Sequence, residues 1–132
     1  MKRFAAQYIF TNNGPPLKRS VITVEDDGTI VSVIDNTGVL TEEHSTEFHN
    51  GIIIPGTSID ILKELKTLQL KLPEIHLQDL ILRAGLNFQA AQGDTEQLIE
   101  IIPGTKPGLL LIQDLDLQKM KLLPESYITR LI

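Results

Sequence analysis

The chain is 132 residues long, carries a formal charge of -5 and contains neither cysteine nor tryptophan. That length suits one domain with a substantial buried core, and the acidic balance argues against nucleic acid as a partner. The missing thiols exclude disulfides, thiolate metal sites and cysteine nucleophiles. With 20 Leu and 17 Ile against four Phe and two Tyr, the core is expected to be aliphatic. No apolar run approaches the roughly 20 residues that cross a bilayer. Met1-Lys2-Arg3-Phe4 leads to Gln7 and Asn12-Asn13-Gly14 rather than to a signal-like apolar segment. The expectation is a cytoplasmic or recombinant protein with no membrane partner.

Residues 4–10 read as a strand, interrupted by Asn12-Asn13-Gly14-Pro15-Pro16, which joins turn formers to two residues without a backbone donor. Residues 21–25 and 29–34 flank Asp26-Asp27-Gly28, and the Asp-Gly step supplies the positive φ that a tight hairpin needs. A polar stretch over 35–50 reads as connection. Gly51-Ile52-Ile53-Ile54 then gives a short strand buried on both faces, closed by the Pro55-Gly56 turn.

The period changes after Gly56. Thr57 or Ser58 is the expected cap of a helix over 58–71, in which Ile61, Leu62, Leu65, Leu68 and Leu72 make one stripe and Lys63, Glu64 and Lys66 face water. Pro73 ends it. A second helix is predicted over 77–91, with Leu77, Leu80, Ile81, Ala84, Phe88 and Ala91 three or four residues apart and Gly93 as its stop. Strands return over 97–102, over 109–112 after the Pro103-Gly104-Thr105-Lys106-Pro107-Gly108 turn, and over 128–132. Residues 114–126 mix charges and leucines and read as an irregular or briefly helical connection. The predicted fold class is α+β: a composite sheet or sandwich from residues 3–54 and 97–132, with no TIM barrel. The two inserted helices are expected to pack on it through Leu62, Leu65, Leu68, Leu80, Ile81, Ala84 and Phe88.

Several of these segments resemble the amidohydrolase, or metal-dependent hydrolase, superfamily, in particular its guanine-deaminase-like and chlorohydrolase-like members. Thr29-Ile30-Val31-Ser32-Val33 after Asp27-Gly28 is similar to their N-terminal strand motif, and Asn50-Gly51-Ile52-Ile53-Ile54-Pro55-Gly56 to the strand that leads into the catalytic barrel. Residues 58–69, Leu72-Pro73-Glu74-Ile75, residues 77–93 and the 103–112 segment resemble the family's C-terminal helices and returning strands. The two likenesses together cover nearly the whole chain.

In the family, Pro-Gly is followed by a His-x-His metal pair and then by a barrel of roughly 250 residues with further ligands and a late catalytic Asp. Here Pro55-Gly56 runs into Thr57-Ser58-Ile59-Asp60-Ile61-Leu62, which resembles the segment beyond the barrel. Asp60 lies two residues after Ser58, whereas the family's Asp follows Gly-Thr directly. The resemblance therefore implies the small composite β domain beside a deleted barrel, with no catalytic residue, no cofactor and no specific small molecule. Departures in the second helix, Gly85-Leu86-Asn87-Phe88-Gln89 and Gln92-Gly93, fit a helix that must bury a different face once the barrel is gone. His76 stands where the family commonly has Pro. Engineering, a natural fragment and a degenerate pseudoenzyme remain open as its origin, and so do a homodimer and a self-contained monomer.

Taken residue by residue, the candidate sites read as ordinary surface. His44 and His49 are five apart among Glu42, Glu43 and Glu47, an awkward separation for converging metal ligands. His76 stands alone near a helix start. Asp26 with Asp27, and Asp114 with Asp116, sit in turns rather than across a cleft. Gly104, Lys106 and Gly108 lack the spacing of a phosphate loop, and the flanking prolines remove donors that an anion would use. The expectation is that no residue is catalytic, cofactor-binding or metal-ligating. The runner-up functions are a homo-oligomeric interaction module and a residual metal-dependent hydrolase acting on carbon–nitrogen bonds.

Overall fold

The computed structural model describes residues 1–18, 20–35, 46–91 and 99–132, with side chains at all of these except 35 and 87–91. In chain order the elements are β1 (Lys2–Ile9), β2 (Leu17–Lys18), β3 (Ser20–Val24), β4 (Ile30–Asp35), β5 (Thr46–Pro55), α1 (Ile61–Lys71), α2 (Leu77–Ala91), β6 (Leu109–Gln113) and β7 (Tyr127–Arg130). The strands form one mixed sheet in the order β4-β3-β1-β5-β6-β7, with β2 paired to β1. The architecture is α+β, and the segments from the two halves of the chain meet where β5 pairs antiparallel with β6, Ile52 opposite Ile112 through Pro55 opposite Leu109.

The β3–β4 hairpin forms at the predicted turn. Gly28 adopts φ 93, its N–H reaches Glu25 O at 2.9 Å, and the Asp27 carboxylate accepts from the Thr29 N–H at 2.9 Å. The apolar run Ile52–Ile54 is buried on both faces as expected. Ile52 and Ile54 join Leu110 and Ile112 in the cluster beneath the helices, while Ile53, Leu109 and Leu111 point into a second cluster with Phe4, Ile22, Val24 and Ile30. The alternation of a strand thus splits one aliphatic run between two cores.

β5 is longer than its apolar run, because Thr46–Asn50, expected as connection, pairs in parallel with β1 from Arg3 to Ala6. Backbone pairing with a central strand decides the conformation there, and the side chains can be polar because most of them remain exposed. Between Ala6 and Tyr8 the β1–β5 register slips. Beside this irregularity Gly51 holds φ 142, and a Cβ there would lie 2.1 Å from the Ile112 carbonyl oxygen. Only glycine lets β5 approach β6 at this point.

α1 begins three residues later than expected. Asp60 occupies the cap position without a side-chain hydrogen bond, whereas Ser58 Oγ accepts from the Asp60 N–H at 3.3 Å in the preceding turn. Ser58 therefore shapes the approach to the helix and does not cap it. Leu65, Leu80, Ile81 and Ala84 are buried against the sheet, with Leu62 and Leu68 packed at the margin. Packing of the Phe88 side chain and the Gly93 stop lie outside the described residues.

The predicted strand over 97–102 is corrected: residues 97 and 98 lie outside the described residues, and 99–102 do not form a strand. The segment is held by single bonds instead, Ile101 N–H to Thr11 O at 2.9 Å and Asn12 Nδ2 to Ile99 O at 3.1 Å. Ile101 is buried as an anchor, and Pro103 ends any extended ladder by removing a donor.

The 114–126 connection is irregular, as expected, but firmly attached. Gln69 Nε2 donates to Leu122 O and Gln69 Oε1 accepts from Leu122 N–H, both at 2.8 Å. Lys66 Nζ donates to Pro124 O at 2.9 Å, and Lys121 Nζ donates to Pro73 O.

Candidate functional site

Of the five residues in the polar histidine–glutamate stretch, His44, Glu42 and Glu43 lie outside the described residues. Glu47 and His49 are described, and because they are two apart on β5 they share one side of the strand. His49 Nε2 lies 3.5 Å from Glu47 Oε2, in ion-pair range but too poorly aligned to count as a hydrogen bond, so Nε2 is a buried nitrogen without one. The imidazole rests beside Phe4, with ring centroids 6.3 Å apart. Two donors fall short of the three protein ligands of a catalytic zinc site, and no group of three His, Cys, Asp or Glu able to hold a metal occurs among the described residues.

His76 has an exposed side chain, and its carbonyl accepts the Leu80 N–H at 3.0 Å at the start of α2. Asp60 is exposed at the front of α1. Asp116 is a turn-former: its Oδ1 accepts from the N–H groups of Gln118 and Lys119, each at 3.0 Å. Asp114 sits at φ 58, and its carbonyl accepts from Ser126 Oγ at 2.7 Å.

The acidic turn and the lysine turn, which sequence reading treated separately, come together. Lys106 Nζ lies 3.0 Å from Asp27 Oδ2. Beside this pair, Ile30 N–H donates to Thr105 O and Gly104 N–H donates to Ile30 O, both at 2.8 Å. Asp26 Oδ1 meets the amino group of Met1 at 3.2 Å. The hydrogen bonds from Thr29, with Lys106 beside them, hold the Asp27 carboxyl down at about 2. A general acid needs the opposite displacement, toward the working pH. Asp27 is therefore a permanent anion in a clasp between the β3–β4 hairpin and the 103–108 turn. The signal available in sequence was weak: an acid and a base each placed in a glycine-containing turn, 79 residues apart by their own numbers, 27 and 106.

Comparison of the chain with family models, with curated proteins and with solved structures finds no match.

Proposed function

We propose that the chain is a non-catalytic structural domain, equivalent to the composite β domain of an amidohydrolase-like protein whose barrel has been removed. The observation that carries this reading is the β5–β6 ladder. Pro55 stands opposite Leu109, and Gly56 N–H donates to Gly108 O at 3.1 Å. The resemblance places the barrel in the stretch that begins at Pro55-Gly56. A sheet that is already joined across that junction needs no barrel to hold its halves together, and α1 and α2 supply the apolar cover on one face.

The chemistry of the described residues supports the same reading. Carbon–nitrogen hydrolysis of this type requires an electrophile, an activated water and a proton carrier around one centre. Glu47 and His49 form one carboxylate–imidazole contact on a strand, and the turn carboxylates are engaged in local ties. Metal-free and zinc-loaded protein should both be inert against a panel of deaminase, amidase and esterase substrates. Multiple turnover that follows the purified protein would overturn the proposal, and its loss in His44→Ala or His49→Ala would place the chemistry at the polar stretch.

A further inference from the structure

The sheet ends at β7, and nothing among the described residues pairs with its outer side. Tyr127 is 45% exposed, and Thr129 and Arg130 are also exposed. The opposite edge differs, because Ile30 at the start of β4 is already engaged by Gly104 and Thr105. Of the devices that keep a strand edge from pairing, Tyr127-Ile128-Thr129-Arg130 has its short length and the Arg130 charge but no Lys, no Pro and no bulge, which leaves room for a weak contact.

The phase of the existing ladder fixes which backbone groups are open. Leu131 N–H donates to Leu109 O at 2.9 Å, and Leu110 stands opposite Arg130, Leu111 opposite Thr129 and Ile112 opposite Ile128. Antiparallel pairs alternate between hydrogen-bonded and non-hydrogen-bonded. Residues 127, 129 and 131 therefore turn their N–H and C=O groups toward β6, and Ile128 and Arg130 turn theirs outward.

We propose that β7 is a self-pairing edge, at which a second copy of this chain adds its own β7 antiparallel across a two-fold axis through Thr129. In that register Ile128 of each copy exchanges both backbone bonds with Arg130 of the other, so that every outward group is used. Thr129 faces its own counterpart, a favourable cross-strand pair, and Tyr127 covers the half-buried Leu131 of the second copy. The occupant follows from this self-complementarity, since residues 127–131 supply both the covering Tyr127 and the Leu131 it covers in an isologous contact. The contact is small, so the dimer is weak and concentration-dependent. This inference does not rest on the absence of catalysis.

The full chain, followed by light scattering and sedimentation from micromolar to millimolar concentration, should pass from monomer to dimer. Arg130→Pro removes an outward donor without touching the β6 ladder, a position where an edge strand accepts proline. It should weaken the dimer about tenfold or more by deleting two hydrogen bonds per dimer, with the circular dichroism spectrum unchanged. Because the chain has no cysteine, Thr129→Cys is an independent reporter that does not disturb folding. Facing α-carbons in a non-hydrogen-bonded pair lie about 4.5 Å apart, within the roughly 4.4–6.8 Å that a disulfide spans. Oxidation should link Thr129→Cys into a dimer and leave Arg130→Cys, which faces Ile128, largely unlinked. A monomer throughout the range, a dimer insensitive to Arg130→Pro, or equal linking at both positions would overturn the proposal.

Discussion

The Asp27 carboxylate serves two structures at once, accepting from the Thr29 N–H within its own turn and meeting Lys106 Nζ at 3.0 Å from a second turn. The Asp-Gly step makes the turn legible in the sequence, whereas the Lys106 contact exists only once the sheet has brought the two turns together. Its pH signature follows from the direction of the shift. The folded carboxyl titrates at about 2 against an ordinary 3.8, so its stabilising contribution is full above 3.8 and disappears as pH falls through the folded value. Asp27→Asn should therefore lower the melting temperature at neutral pH, and the deficit should close between pH 3.8 and about 2. A deficit of constant size down to pH 2 would show that the anion is not the source. Gly51 carries a different constraint, because an added methyl meets a backbone oxygen at 2.1 Å. Gly51→Ala should cost more than about 3 kcal/mol in urea denaturation. Gly14→Ala, at φ 109 with open space around it, should cost the backbone strain alone, about 1–3 kcal/mol.

The helices were the most legible elements, since a 3.6-residue stripe is written in adjacent turns and needs no distant partner. Leu65, Leu80, Ile81 and Ala84 are buried where the stripe places them, and Leu65→Ala should cost about 2–5 kcal/mol. The exposed Leu70, at 84%, should tolerate alanine within about 0.5 kcal/mol. Inside α2, Gly85 has nothing near its missing Cβ, so Gly85→Ala should stabilise the protein by about 0.5–1 kcal/mol, read as a rise in the urea midpoint. Strands were less legible because their limits depend on neighbours. Thr46–Asn50 carries a polar sequence and is a strand through β1 alone. Residues 99–102 carry an apolar one and are not, because the chain finds single anchoring bonds at Thr11 and Asn12 instead of a ladder.

At the scale of the molecule, the α+β class and the meeting of the two terminal β segments could be inferred, because neither half can bury its own aliphatic residues. The sheet order could not. Nothing in the residues of β1 announces that β5 will lie beside it in parallel, since Phe4, Tyr8 and Ile9 suit either direction of pairing. Of the candidate site, the sequence disclosed residue types and spacing but not the clasp, which depends on two turns brought together by the sheet. A sheet in which β1 and β5 are both central binds the halves into one unit. Thermal unfolding followed by far-ultraviolet circular dichroism and by tyrosine fluorescence should give coincident, single transitions, and two separated midpoints would contradict this. The same central placement governs how the molecule is made. β1 leaves the ribosome before β5 and gains its parallel neighbour only once β5 has followed, and β5 gains its antiparallel neighbour only after both helices have emerged. The β5–β6 contacts that complete both cores are thus among the last available, a topology associated with slow folding over milliseconds to seconds. From its own emergence until β6 follows, the isoleucine run of β5 waits with one side of its ladder open, and the nascent chain is most vulnerable to aggregation in that interval.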